Sequence, residues 1–208
     1  MITMITVITP ATDTKLTTIE RARALLGFGV GDDATVRILI EHASSAIVDH
    51  CRRPFATETV RETFEGPSAS GAVLLGRSAV TSFDEVRRGS EIIEPRFVQY
   101  DPATGLLFRI DDDGWRVGWG DRVSVTYAAG YVLPTDNADA PPSTLPPAVE
   151  RAAIKLVAAY LSIRGRDALI KSETTEGVGA TSFWVPSAGA GLADPEAAGL
   201  LADYRRIF

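Results

Sequence analysis

The stretch "VTYAAGYVLP" (residues 125–134) decides how the chain is divided. Val125 and Tyr127 share one face of an extended strand. Ala128-Ala129-Gly130 then drops the large side chains, and Pro134 lacks the N–H that a further ladder bond would need. Five of the twelve prolines fall between 134 and 147, and beyond them the apolar residues recur at steps of three and four. The stretch therefore reads as the close of an inserted β module. The proline-rich path that follows keeps the returning chain out of the sheet.

Working backward, residues 57–128 carry strand patterns. Val60, Glu62 and Phe64 fall on one face, with Thr59, Arg61 and Thr63 on the other. "AVLLG" is a short apolar run, "RFVQY-DPATG-LLFRI" has the turn chemistry of a hairpin, and "DRVSVTY" alternates again. About six short strands are expected, forming an inserted β region over 57–133.

The flanks read as helices. Thr17-x-x-Glu20 has the form of a capping box, opening a short helix that stops at Gly27. Asp32 or Asp33 caps a second helix with Val36, Leu39, Ile40, Ala43, Ile47 and His50 on one stripe, bounded by Pro54. Pro146 and Pro147 suit the first turn of a third, striped by Val149, Ala152, Ala153, Leu156, Val157, Tyr160 and Ile163, with Gly165 at its end. Asp194-Pro195 caps a last helix bearing Leu200, Leu201, Tyr204 and Phe208. Residues 1–16, Thr-rich and without period, read as an arm that orders against a partner; 134–145 is the Pro-rich connector. The expected fold is α+β: mainly a helical bundle of about four helices (17–56 and 146–208) with a small antiparallel β region inserted.

The 208 residues carry a formal charge of −6 and a pI near 5.0. Duplex-binding proteins usually present a basic face, and none is evident. Charge is uneven: residues 84–121 hold nine acids against five arginines, whereas 148–171 is net +3. One cysteine, Cys51, excludes an internal disulfide framework. "MITMITVITP" has no basic n-region and is not expected to act as a secretory leader. No stretch is long and apolar enough to span a bilayer.

Candidate chemistry is sparse. "GFGVG" (27–31) follows a helix rather than a strand, so it does not read as a dinucleotide loop. His42 and His50 are eight residues apart on one helix, roughly 12 Å of rise. That is too far to share a zinc ion. "DDDG" (111–114) resembles part of a calcium loop, but Arg109 and Gly120 would stand where the first carboxylate and the bidentate Glu belong. Asp84, Glu85, Glu91 and Glu94 offer carboxylates without any pattern that pairs them. No catalytic residue, metal or cofactor is assigned. Trp115 and Trp119 in "GWRVGWG" read either as sheet packing or as a contact patch. Phe183-Trp184, within a Gly-, Ser- and Thr-rich stretch, favours contact with a partner.

The order of these pieces resembles the head–tail connector (adaptor, or head-completion) proteins of long-tailed bacteriophages and gene transfer agents. The quotable pieces are "ILIEHASSAIVDHCRRPF", "VSVTYAAGY", "LPPAVERAAIKLVAAYLSIRG" and "LLADYRRIF". The resemblance implies a virion protein of the head–tail neck, made in the bacterial host cytoplasm. It implies a homo-oligomeric ring, usually a dodecamer, docked on the portal protein of a DNA-filled head. A stopper or tail protein would receive its other face, and double-stranded DNA would pass through without specific binding. Carried over by position, portal docking falls on Leu200, Leu201, Tyr204, Arg205, Arg206 and Phe208. Such a protein is not an enzyme and uses no membrane. The alternatives are a stopper or tail-completion protein of the same neck, or a hydrolase using acidic loops of the β region.

Overall fold

The computed structural model describes residues 2–66, 71–163, 172–175, 179–182 and 192–206. The chain divides into two compact units, Met1–Asp13 with Ala56–Tyr131, and Thr14–Phe55 with Val132–Phe208.

The first unit is built of strands: β1 (Ile2–Thr9), β2 (Glu58–Glu65), β3 (Ala72–Leu74), β4 (Val80–Arg88), β5 (Glu91–Ile92), β6 (Val98–Asp101), β7 (Leu106–Ile110), β8 (Arg116–Val117) and β9 (Val123–Ala129). A five-stranded antiparallel sheet runs β1-β2-β9-β4-β5. In a second sheet, β7 pairs β6 along one side and β3 and β8 in tandem along the other. Val60, Phe64, Val86, Val123, Val125 and Tyr127 from the first sheet meet Val73 and Leu107 from the second, with Trp119 among them, in one buried cluster. Period-2 alternation in β2 and β9 puts these side chains on one face of the first sheet.

One member of that inner face is charged. Glu62 is 1% exposed. Its Oε2 accepts from the Gly76 N–H and from the Tyr127 hydroxyl, both at 2.7 Å. The Tyr127 oxygen in turn accepts from the Arg77 N–H at 3.1 Å, and Arg77 pairs with Glu58 at 2.5 Å. Burial, and then the Glu62 charge, push the Tyr127 phenol well above the ordinary tyrosine range. This chain of bonds pins the β3–β4 loop, in which Ala79 takes the left-handed conformation at φ 57°.

Gly130 explains why the strand ends in Ala-Ala-Gly. Its φ is +120°, and a Cβ there would stand 2.3 Å from the Ala56 carbonyl oxygen. The Thr57 N–H bonds to the Tyr131 carbonyl at 3.2 Å, and the Gly130 N–H bonds to that of Ala79 at 3.0 Å. Only glycine allows the outgoing chain to lie this close to the incoming one.

The second unit holds α1 (Ile19–Leu26), α2 (Asp33–Cys51), α3 (Pro147–Ile163), a hairpin of β10 (Ser172–Thr175) and β11 (Gly179–Ser182), and α4 (Pro195–Leu200). Val36, Ile40, Ala43, Ile47 and Cys51 of α2 and Val149, Ala152, Ala153, Leu156 and Val157 of α3 are buried at helical spacing. Thr18, not Thr17, is the N-cap of α1, accepting from the Arg21 N–H. Thr17 instead donates to Glu150 at 3.2 Å. The Pro-rich connector is pinned on itself: the Val132 carbonyl accepts from the Thr144 N–H and the Ser143 hydroxyl, each at 3.0 Å.

The expectation of a mainly helical bundle is overturned. With antiparallel sheets of five and four strands as well as four α-helices among the described residues, the fold is a sheet-rich α+β fold. The Thr-rich start supplies β1, paired with β2 from Ile2↔Glu65 onward. Its apolar residues keep no period of two, so alternation could not reveal it. In β4, register shifts between Val80 and Ser82 and between Phe83 and Glu85 break the alternation in the same way.

Candidate functional site

The sequence pointed to contact surfaces rather than a reaction centre, and the structure sorts these by exposure. The C-terminal segment is fastened along its length to the second unit. Asp194 caps α4 by accepting from the Ala197 N–H at 2.7 Å, and Pro195 takes the first turn. Glu196 reaches Arg151 at 2.8 Å and Lys155 at 2.5 Å, and the Lys155 hydrogen bond holds its carboxyl below the ordinary range. Leu201 is fully buried and Leu200 half-buried. Tyr204 is half-buried, its ring tilted 55° and 6.4 Å from that of Phe55. The Arg206 N–H bonds to the Cys51 carbonyl at 2.9 Å, which leaves Arg205 as the exposed member of the set. Phe208 lies outside the described residues, as do Phe183 and Trp184. Glu196 was missed as the anchor of this segment. Its signal was available: an acid in the first turn of α4 that answers two cations one helical turn apart on α3.

The two tryptophans of "GWRVGWG" part company. Trp119 is fully buried in the sheet core, with its Nε1–H lacking a hydrogen-bond partner. Packing is therefore its role. Trp115 is 73% exposed, on the turn between β7 and β8. That turn is the acidic "DDDG". Asp111 Oδ1 accepts from the Trp115 N–H at 2.8 Å and the Asp113 N–H at 3.1 Å, which fixes the tryptophan where the turn closes, opposite Asp111. Beside it Arg116 stacks 3.7 Å above the Phe108 ring centroid.

The carboxylates of the β region do not converge. Glu85 is held by Arg87 through two bonds at 2.6 and 2.8 Å, Glu94 by Arg96 at 2.9 Å, and Glu91 faces Arg88 at 3.7 Å. Among the described residues, no group of three His, Cys, Asp or Glu side chains is placed to hold a metal ion. Cys51 is buried, which pushes its thiol up to about 11. Burial, with Arg205 nearby, pushes His50 down.

Two features escaped the sequence reading. β1 is an edge strand with Met4 64% exposed and Val7 and Ile8 about half exposed. The β10–β11 hairpin forms a sheet of its own, with no third strand among the described residues.

At the level of sequence, no family model and no curated protein matches the chain. In fold it is similar to chains in three solved assemblies. One is the neck of a native GTA particle computed with C12 symmetry: 15% identity, TM-score 0.57, covering 99% of this chain and 96% of that one. The second is the neck of an empty GTA particle computed with C6 symmetry, at 16% identity and TM-score 0.57 with the same coverage. The third is the virion of a native gene transfer agent particle, at 17% identity, TM-score 0.56 and again the same coverage. The two-unit fold is therefore one that neck chains of these particles also adopt.

Proposed function

We propose that the chain is a structural virion protein of the head–tail neck. In this reading it forms a ring that serves as adaptor between the portal of a DNA-filled head and the tail. The observation that carries this is likeness of fold over essentially the whole of both chains to a neck solved with twelve-fold symmetry. The surface chemistry supports it. Exposed apolar side chains are spread over both units, with Met4, Val7 and Ile8 on the β1 edge, Trp115 on the β7–β8 turn, and Leu25 and Val30 at and after the end of α1, and an assembling subunit needs such surface. The net charge of −6 suits a conduit that lets DNA pass without holding its phosphates.

Within this reading the C-terminal segment docks on the portal. Leu201 and Tyr204 secure the segment to its own unit, and Arg205, with the accessible parts of Leu200 and Arg206, makes the contact. Trp115 meets a neighbouring copy or the stopper or tail protein. Deleting 194–208 would strip buried Leu201 and Ala197 from the core, so surface variants are the cleaner probes. Particles purified from cells making a tagged chain should show the tag as a twelve-copy ring at the neck. Arg205→Glu should leave the free chain folded and lower its incorporation into heads. A tag found on the capsid wall or the tail tube would sink the reading.

A further inference from the structure

We infer that the outer edge of β1 is a pairing surface between copies of this chain, and that the β10–β11 hairpin of the neighbouring copy fills it. This rests on the ring reading above. β1 ends the five-stranded sheet, and none of the described residues pairs with its outer side. Eight residues long, it exposes about 27 Å of backbone. Every second residue there aims an N–H and a C=O away from β2.

Sheet edges left open to solvent are normally blunted by charge, proline, bulges or brevity. The opposite edge follows that rule. β5 has two residues, one of them Glu91, and Glu94-Pro95 follows. β1 is blunted only at its far end, by a register shift between Val7 and Thr9 and by Pro10 after it. Over Ile2–Val7 it pairs in unbroken register, and "ITMITVIT" contains no charge, no proline and no glycine and exposes Met4, Val7 and Ile8. Left uncovered, such a strand is an aggregation template. Its composition instead suits a strand that is covered in the working state.

The hairpin supplies the complement. A two-stranded ribbon is marginal on its own, and it gains by adding to a larger sheet. Four-residue strands at Ser172–Thr175 and Gly179–Ser182 would cover about half of β1. The symmetry also fits. Pairing β1 with another β1 is isologous and makes two-fold dimers. A ring needs two different surfaces per copy, and an edge with a ribbon is such a pair.

The test compares backbone hydrogen exchange in the free chain with that in neck-bearing particles. Amides of β1 and of one or both of β10 and β11 should slow at least tenfold in particles. Replacing 172–182 by a Gly-Ser linker of equal length should leave the free chain's remaining amides unchanged and abolish incorporation. Along a strand, adjacent N–H groups point to opposite sides. So one of Thr3→Pro and Thr6→Pro removes a bond to β2, and the other removes only an outward N–H. The variant that keeps wild-type thermal stability should fail to join the ring. β1 amides exchanging as freely in the ring as in the free chain would overturn the inference alone. So would a linker variant that still assembles with β1 protected. Particles whose neck lacks the chain would overturn the ring reading with it, and imaging of the same particles reports that separately.

Discussion

In the sheet unit, Glu62 lies inside the core and depends on the Gly76 N–H and the Tyr127 hydroxyl. In the helical unit, each carboxylate that joins elements has an exposed cation as partner: Arg21 is 53% exposed against 13% for Glu150, and Arg151 64% against 52% for Glu196. Glu150 reaches Arg21 at 2.5 and 2.7 Å, and Glu196 reaches Arg151 and Lys155. The buried polar residues described there are uncharged, such as Ser44, which accepts from the Leu16 N–H and donates to the Ile40 carbonyl, although the Nε atoms of Arg23 and Arg53 are also shut off from solvent. A buried charge has no solvent to fall back on, so loss of one partner strands it. An exposed charge exchanges its partner for water at little cost. The sheet unit should therefore be brittle to single substitutions, and the helical unit tolerant of changes at its polar contacts.

Trp119→Ala should break the sheet unit most severely, by about 3–5 kcal/mol. Cys51 makes the comparison sharp, because the one thiol is buried in the other unit. If each core stands by itself, denaturant should melt the sheet signal early while Cys51 still resists alkylation. Simultaneous exposure of Cys51 would mean that the two cores melt as one. Trp119→Phe should cost much less, because it also removes the unpartnered Nε1–H.

Gly130→Ala should come next, at about 2–3 kcal/mol, since alanine must hold a glycine-only φ against the Ala56 backbone. Urea midpoints of the purified variant would measure this, and a neutral effect would refute the close approach. Tyr127→Phe should cost about 1–3 kcal/mol by leaving Glu62 one donor short. The same contact sets an alkaline limit. The folded phenol is raised, so the stability it contributes is complete below the unfolded value near 10 and falls as pH rises above it. Tyr100 and Tyr160 are raised as well, both chiefly by burial, and act in the same direction. Ultraviolet titration should show Tyr127 ionising only as the sheet unit unfolds, and an early, reversible tyrosinate signal from it would contradict its burial.

The smallest effect belongs to the exposed cations of the helical unit. Arg21→Ala should cost about 0.2–1 kcal/mol, and the difference from wild type should shrink in high salt. A loss as large as that of Tyr127→Phe would erase the contrast between the units.

The helices were legible because burial on one side imprints a period on the sequence, as the stripes of α2 and α3 show. The β6–β7 hairpin was legible through its Asp-Pro and Gly turn. Strand β1 was not, because an edge strand exposed on most of its surface carries no alternation. Nor could spacing tell Trp115 from Trp119. Four residues apart, one sits on a turn held by Asp111 and the other in the core, and only pairing between distant strands decides which. The terminal segment was recognised as apolar, but its fastening to α3, Phe55 and Cys51 depends on partners far away in sequence.

The place of β9 has a consequence for synthesis. It lies in the middle of the five-stranded sheet, between β2 and β4, yet it is the last of those strands to leave the ribosome. At roughly 5–20 residues per second, about 120 residues separate the end of β1 from the end of β9, an interval on the order of 10 s. Until Glu65 has been made β1 has no strand to pair with, and after that β1 and β2 have only each other, an isolated pair that is marginal. The nascent chain thus carries its least protected segment through the whole of that interval, and the sheet can shelter its inner face only once Ala129 has emerged.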